Sequence, residues 1–265
     1  LGARPVAGMD VFCLSTPALF PAADDAQRPQ GLKDPAIIFR GVHRGVQDAS
    51  HQGELPVVNG SVRFAAEFGG KPLVFVGSVG VMPKQVAGRR SEENVIRPGD
   101  RIVVAGGRVG RDGLHGATFS SLALQDDAEP STVQGDAVMQ KRLQDFTLAA
   151  RDAGLIQAIT DNGAGGLSSS VGEMAELAGG ARLDLACHPA KYPGLADWEI
   201  LVSESQERMT YAVAPAQVHA FLALARDMDV EASLLGEFTD SGVLEVHNNG
   251  REVARLDLDF LHHGL

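Results

Sequence analysis

The residues best suited to bind an anion lie together in Gly106-Gly107-Arg108-Val109-Gly110-Arg111-Asp112-Gly113-Leu114-His115-Gly116-Ala117-Thr118-Phe119-Ser120-Ser121. The five glycines of this run leave backbone N–H groups free to converge on a negative group with no Cβ in the way. Arg108 and Arg111 add charge, and Thr118, Ser120 and Ser121 add hydroxyls. The spacing is neither a Walker A motif, which needs Gly-Lys-Ser/Thr, nor the GxGxxG of a dinucleotide fold. On composition alone the run also reads as a long Gly-rich surface loop.

Two further clusters offer carboxylates. Thr160-Asp161-Asn162-Gly163-Ala164-Gly165-Gly166-Leu167-Ser168-Ser169-Ser170 puts an acid at a strand end, followed by glycines and a serine-capped helix. Asp161 could there hold Mg²⁺, which takes one or two carboxylates together with phosphate oxygens. It could equally cap a turn. Ser203-Glu204-Ser205-Gln206-Glu207-Arg208-Met209 follows the apolar Trp198–Val202. Glu204 and Gln206 alternate with serines, so one face can present a carboxylate and an amide, as at a pocket mouth. Charged turns of this kind are more often simply solvated. Gln134, just before Asp136, could donate and accept hydrogen bonds at a helix entrance.

The remaining reactive types suggest less. His43 and His51 fall on a predicted helix and its end, and His262 and His263 lie at the C-terminus and read as surface residues. No histidine has the Asp, Glu or Cys spacing of a metal site, and no GxSxG elbow occurs. Cys13 and Cys187 are far apart and outside any CxxC spacing, which predicts two buried thiols in a reducing compartment. Nothing in the spacing gives Cys187 or His188 a role beyond packing.

The elements that must position these groups can be traced along the chain. Val6–Leu14 predicts a strand, and Ala36–Ser50 a helix after a Pro- and Asp-rich loop from Thr16 to Pro35. Short strands are expected at Leu55–Val58 and Leu73–Val81, then a polar connector over Gly88–Pro98. Arg101–Ala105 reads as a buried strand of branched residues leading straight into the Gly-rich run. Asp136 caps a predicted helix with Met139, Leu143, Phe146 and Ala150 inward and Gly154 as its stop. Ile156–Thr160, Leu183–Cys187 and Met209–Val213 predict strands, Ser168–Ala178 a helix. Pro215–Met228 predicts another helix, with Val218, Phe221, Leu222 and Ala225 inward. Val243–His247 and Glu252–Leu256 form a predicted hairpin about Asn248-Asn249-Gly250. Strands and helices do not alternate strictly, which favours α+β over a doubly wound parallel sheet.

Composition narrows the classes. The net charge of −11, without a Lys/Arg run, speaks against nucleic acid, whose phosphates need clustered cations. No apolar run approaches the ~20 residues of a membrane span, and no signal peptide opens the chain. Leu1-Gly2-Ala3-Arg4-Pro5 reads as a turn between two elements, so the amino-terminal domain is expected to be incomplete.

Taken in order, these clusters resemble one family. The run Gly106–Ser121, then Val133-Gln134-Gly135-Asp136, Asp161 with Gly163–Leu167, and Ser203–Met209 are similar to formylglycinamide ribonucleotide amidotransferase. Gly2–Ala7, Gly77–Lys84 and the closing Leu258-Asp259-Phe260-Leu261 fit the same frame, so the resemblance spans nearly the whole chain. It implies an α+β fold of the aminoimidazole ribonucleotide synthetase type. A truncated amino-terminal subdomain (1–88) would precede a complete α/β carboxy-terminal subdomain (95–265). It also implies an ATP-dependent carbon–nitrogen ligase of purine biosynthesis in the cytoplasm, using ATP and Mg²⁺. Such an enzyme phosphorylates the formamide oxygen of its substrate and lets ammonia displace the phosphate.

By the same resemblance Gln134, Glu204, Ser205 and Gln206 bind substrate and Asp161 binds magnesium. His115 and Arg111 lie in a loop on the substrate side. The partners implied are the remaining synthetase halves and a glutaminase domain or subunit supplying ammonia, with no nucleic acid or membrane. The family's catalytic histidines and main nucleotide carboxylates lie upstream of Leu1, so no residue here is assigned as catalytic. Asn59-Gly60-Ser61 also stands where many members carry Gly-Gly-Glu, so the resemblance carries no nucleotide role over to Ser61 or Arg63. This stretch alone is expected to bind ligands poorly, not to turn over, and to associate through exposed sheet edges. The alternatives are another ATP-using member acting on a different amide or acid, and a non-catalytic scaffold copy. The presence of Gln134, Asp161 and Glu204–Gln206 speaks against a scaffold.

Overall fold

The computed structural model describes residues 2–16, 33–112, 114–117 and 135–264. Gln134, Thr118, Ser120, Ser121 and most of the Thr16–Pro35 loop lie outside them. The chain divides into two compact units, with the boundary between Val81 and Met82.

In the smaller unit, Arg4–Leu14 (β1) is the central strand. It pairs parallel with Val57–Phe64 (β2) and antiparallel with Leu73–Val81 (β3). Between β1 and β2 runs the helix Pro35–Gln52 (α1). Asp34 Oδ1 accepts from Ala36 N at 2.7 Å, and Pro35 takes a first-turn position where a missing N–H costs nothing. Phe39 of α1 meets Phe64 of β2 edge-on, with ring centroids 6.4 Å apart. β3 is an edge strand, and Leu73, Val74, Phe75 and Val76 are all exposed, together with Val79 and Val81.

The connector expected at Gly88–Pro98 instead belongs to the larger unit. Gln85–Val86 (β4) and Arg89–Arg90 (β5) form a small hairpin. Arg89 donates to Gln157 Oε1 at 2.6 Å and to the Ile156 carbonyl at 2.9 Å, which fastens the hairpin there.

The larger unit is built on a seven-stranded sheet. Its strands are Arg101–Gly106 (β6), Ala158–Asp161 (β7), Ala181–Asp184 (β8), Arg208–Val213 (β9), Ala232–Phe238 (β10), Val243–Asn248 (β11) and Arg251–Asp257 (β12). They lie in the order β12-β11-β8-β10-β6-β9-β7, antiparallel throughout except for β8 with β11. The helices are Ala137–Asp152 (α2), Gly166–Ala178 (α3), Asp197–Val202 (α4), Val218–Asp227 (α5) and Leu258–His263 (α6).

Two cores flank this sheet. Ile102 and Val104 point to one side, packing with Leu167 and Val171 of α3 and with Leu183, Leu244 and Val246. Val103 and Ala105 point to the other, against Leu143 and Phe146 of α2, Tyr211, and Phe221 of α5. β6 is therefore covered on both faces, which is why its sequence is a continuous apolar run rather than an alternating one. Phe146, Tyr211 and Phe221 meet edge-to-face at centroid distances of 6.0, 5.0 and 5.1 Å. The buried Tyr211 hydroxyl is satisfied by Thr147 Oγ1 at 2.7 Å.

Some expectations change in the structure. The strand expected at Leu183–Cys187 stops at Asp184, whose side chain accepts from Ala186 N at 3.0 Å and turns Leu185–Cys187 into a 3-10 helix. Pro215–Gln217 is likewise a 3-10 turn before α5 begins. Cys187 is exposed rather than buried, while Cys13 is half-buried. Of the predicted inner face of α2, Leu143, Phe146 and Ala150 are buried and Met139 is only partly so.

Removing the centre of the aromatic cluster leaves a cavity that rigid neighbours on two elements cannot fill. Phe146→Ala should therefore cost about 3–5 kcal/mol in denaturant unfolding. The exposed apolar strand β3 should drive association, so sedimentation should find species heavier than the 27.9 kDa chain. Val74→Lys with Val76→Lys should shift the population toward monomer; an unchanged distribution would place the association elsewhere.

Candidate active site

The candidate site forms where three segments leave the sheet side by side: the Gly-rich run after β6, the Asn162–Gly165 segment after β7, and the Ser203–Glu207 turn before β9. The approach of the first and third is very close. Gly107 N donates to the Glu207 carbonyl at 2.9 Å, and a Cβ on Gly106 would lie 2.0 Å from that same oxygen. Gly106 has φ +114° and Glu207 φ +56°. Only glycine fits at Gly106, for reasons of both space and conformation.

The two serines of the turn are fully buried, and their hydroxyls hold the Gly-rich run. Ser203 Oγ donates to the Gly110 carbonyl at 2.6 Å, and Ser205 Oγ accepts from Gly110 N at 3.0 Å. Ser205 Oγ also donates to Asp112 Oδ1 at 3.0 Å, and Lys191 Nζ reaches Asp112 Oδ2 at 2.7 Å. Burial raises the Asp112 pKa, but these two hydrogen bonds and the Lys191 charge outweigh it and hold the carboxyl below its usual range.

Glu204 sits between them as a bridge. One carboxylate oxygen accepts from Ala117 N at 3.0 Å, the other from Gly165 N at 3.2 Å. A single buried carboxylate thus ties the Gly-rich run to the entrance of α3, where Gly165 and Gly166 both have positive φ. Gln206 Nε2 turns back onto the Glu204 carbonyl at 2.8 Å. Beneath the turn, the buried Arg208 donates through Nε to the Ser205 carbonyl at 2.7 Å and through Nη2 to the Ser203 carbonyl.

The other residues singled out in the sequence lie around this frame. Asp161 ends β7 opposite Met209 of β9, is exposed, and accepts from Gly163 N at 2.8 Å through Oδ1. Its Oδ2 has no hydrogen-bond partner among the described residues. One exposed carboxylate oxygen suits a Mg²⁺ ion shared with phosphate oxygens, and could not form a protein-only cage. Arg111 is already engaged: Nε donates to Glu199 Oε1 at 2.7 Å, Nη2 to the Gly194 carbonyl at 3.1 Å, and its backbone N–H to Tyr192 at 2.7 Å. The Arg111 hydrogen bond also holds the Glu199 carboxyl below its usual range. His115 has φ +59° and stacks on the exposed Trp198 with ring centroids 6.0 Å apart.

Among the described residues, one set of three carboxylate and histidine groups could share an ion: Glu245, His247 and Glu252. It lies on the β11–β12 hairpin, at the opposite edge of the sheet from β7, and Arg255 Nη2 already spans the two glutamates at 2.9 and 3.0 Å.

Sequence reasoning missed His188, Glu199, Arg208 and Lys191, because each acts through distant partners that no local spacing reveals. Arg208 lies inside a motif that was singled out, but only the structure shows its guanidinium turned beneath the loop.

A family model, AIR synthase related protein, C-terminal domain, matches residues 97–248. The chain belongs to the AIR synthase related family. Those residues contain every part of the candidate site. The chain is also 34% identical over 265 residues to phosphoribosylformylglycinamidine synthase subunit PurL of Thermoplasma acidophilum, covering 98% of this chain and 34% of that protein. It resembles the structure of Thermotoga maritima PurL complexed with FGAR, with a TM-score of 0.82 and 30% identity, covering 98% of this chain and 40% of that one. The same PurL complexed with ATP gives a TM-score of 0.78 at 28% identity, over 98% of this chain and 38% of that one. The chain thus spans about a third of the length of the curated relatives it matches. The AIR synthase-like α+β fold expected from the resemblance is the fold found. Among the described residues, no helix is long and apolar enough to cross a membrane.

The geometry carries a pH dependence. Burial, and then the Arg208 charge, lower His188 from 6.5 to about 3. Between those values the unfolded chain binds more protons than the folded one, so stability rises with pH there. Its contribution is complete above about 6.5 and is lost progressively as pH falls toward 3. His188→Asn should flatten the dependence of the urea midpoint on pH between 6.5 and 4; an unaltered slope would assign it to other groups.

Proposed function

We propose that this chain is the substrate-binding part of an ATP-dependent synthetase that converts formylglycinamide ribonucleotide to formylglycinamidine ribonucleotide in purine biosynthesis. The observation that carries this reading is the similarity over 98% of the chain to a PurL complexed with FGAR. The Glu204 bridge supports it, because it ties two glycine-rich segments together at one site.

In the proposed reaction the formamide oxygen attacks the γ-phosphorus of ATP and ADP departs, leaving an imidate phosphate. Ammonia then adds at the imidate carbon and inorganic phosphate leaves, giving the amidine. Glu204, Ser205 and Gln206, with Gln134, are assigned to the substrate side. Ser205 acts there through Gly110 and Asp112, since its hydroxyl is fully buried. Arg111 and His115 shape the same side, Arg111 by fixing its loop to Glu199. Asp161 is the residue assigned to Mg²⁺, which would screen charge between the nucleotide and the transferring phosphoryl group. Ammonia is proposed to come from a glutaminase domain or subunit. Turnover is proposed to require the remaining synthetase halves, so this stretch alone should bind only weakly and not turn over.

Isothermal titration of the chain with formylglycinamide ribonucleotide, with and without Mg²⁺, tests the assignment against the Asp161→Ala, Glu204→Ala double variant. Binding heat that vanishes in the variant is the expected result. A folded wild-type chain that gives no heat, or a variant that binds equally well, would overturn it.

A further inference from the structure

Arg208 is 3% exposed and is the first residue of β9. All three of its nitrogens are engaged. Nε donates to the Ser205 carbonyl at 2.7 Å, Nη2 donates to the Ser203 carbonyl, and Nη1 lies 3.1 Å from His188 Nε2. Arginine cannot accept a hydrogen bond, so His188 Nε2 must be the accepting nitrogen and the ring proton must sit on Nδ1. His188 is therefore neutral, consistent with its pKa of about 3. Burial lowers Arg208 only to about 10, so it remains a cation at neutral pH.

The two carbonyls that Arg208 grips flank Glu204 on either side in sequence. Glu204 is in turn the residue that spans Ala117 N and Gly165 N. Arg208 thus holds the Ser203–Glu204 and Ser205–Gln206 peptides, and with them the turn from which Glu204 reaches those amides. A planar fork of donors spread over three nitrogens does this; an ammonium has three donors as well, but all on one nitrogen, which cannot sit at three separate contact points.

We infer that Arg208, backed by neutral His188, is the positioning residue that fixes the Ser203–Gln206 turn and aims Glu204 across the substrate site. It acts through the backbone on both sides of Glu204 and touches no substrate itself. The inference rests on the reading of Glu204 as a substrate-side residue, but the hold on the turn can be measured without substrate.

The test is amide hydrogen exchange, residue by residue, on the whole chain. Arg208→Lys should speed exchange at Gly165 and Ala117 by about tenfold or more, while Val103 and Val104 in β6 remain protected. Glu204→Gln accepts from only one of the two amides, and should disturb the same pair. Affinity for formylglycinamide ribonucleotide should fall by about tenfold to a hundredfold in Arg208→Lys. Faster exchange throughout β6 would mean a purely structural role and would overturn the inference, as would unchanged exchange at Gly165 and Ala117. If Arg208→Lys does not fold, His188→Ala removes only the backing acceptor and carries the same comparison. A wild-type chain that binds no substrate would overturn the reading of Glu204, while the exchange data would still decide whether Arg208 holds the turn.

Discussion

The larger unit depends on how closely two backbones approach at the end of β6. Gly106 lies against the Glu207 carbonyl with no room for a side chain, and Gly107 N bonds to that same oxygen. This contact brings the Gly-rich run beside the Ser203–Glu207 turn. Every later interaction of the site presupposes it: Ser203 and Ser205 on Gly110, Ser205 on Asp112, and Glu204 on Ala117. β6 can hold its end so firmly because both of its faces are packed, one against α3 and the other against α2 and α5. A strand buried on both sides has nowhere to slide, since a shift by one residue would exchange its two sets of core contacts.

Chemically, the Ser203–Glu207 turn and Arg208 form a frame of buried polar groups, while Asn162 Nδ2 and His188 Nδ1 nearby are buried with no partner among the described residues. Ser203, Glu204, Ser205 and Arg208 are all buried and all hydrogen-bonded. Buried polar networks of this kind cost stability when incomplete, and fix a single geometry when complete. In the frame, backbone N–H groups from the two glycine-rich segments are taken up by the Glu204 carboxylate, the Ser205 hydroxyl and the Glu207 carbonyl, which locks the segments to the turn.

Much of the fold was legible along the chain because local signals agreed with tertiary ones. β3 begins and ends at Leu73 and Val81, as expected, and Asp136 caps α2 through Val138 N and Met139 N. The Asn248-Asn249-Gly250 turn joins β11 to β12, with Asn249 at φ +51° and Gly250 at φ +76°. Other elements carried no local signature. β10 was missed because Ala232–Phe238 does not alternate and contains Gly236. Its reason is visible only in the sheet, where a Cβ on Gly236 would lie 2.0 Å from the Arg182 carbonyl. The short helices α4 and α6 were missed for lack of a full apolar period.

The sequence by itself determined which residue types cluster: glycines with arginines after a buried strand, an acid at a strand end, and a serine–glutamate–glutamine turn. It also carried the α+β class, because helical and strand periodicities are local properties of a few consecutive residues. Only the tertiary structure decided what those groups do to one another. It turned the Ser205 hydroxyl inward to Gly110 and Asp112, committed Arg111 to Glu199, and brought His188 under Arg208 across twenty residues of chain. Such pairings join positions far apart along the chain, and their geometry is set by the packing of β6 and β9 rather than by any spacing within a motif.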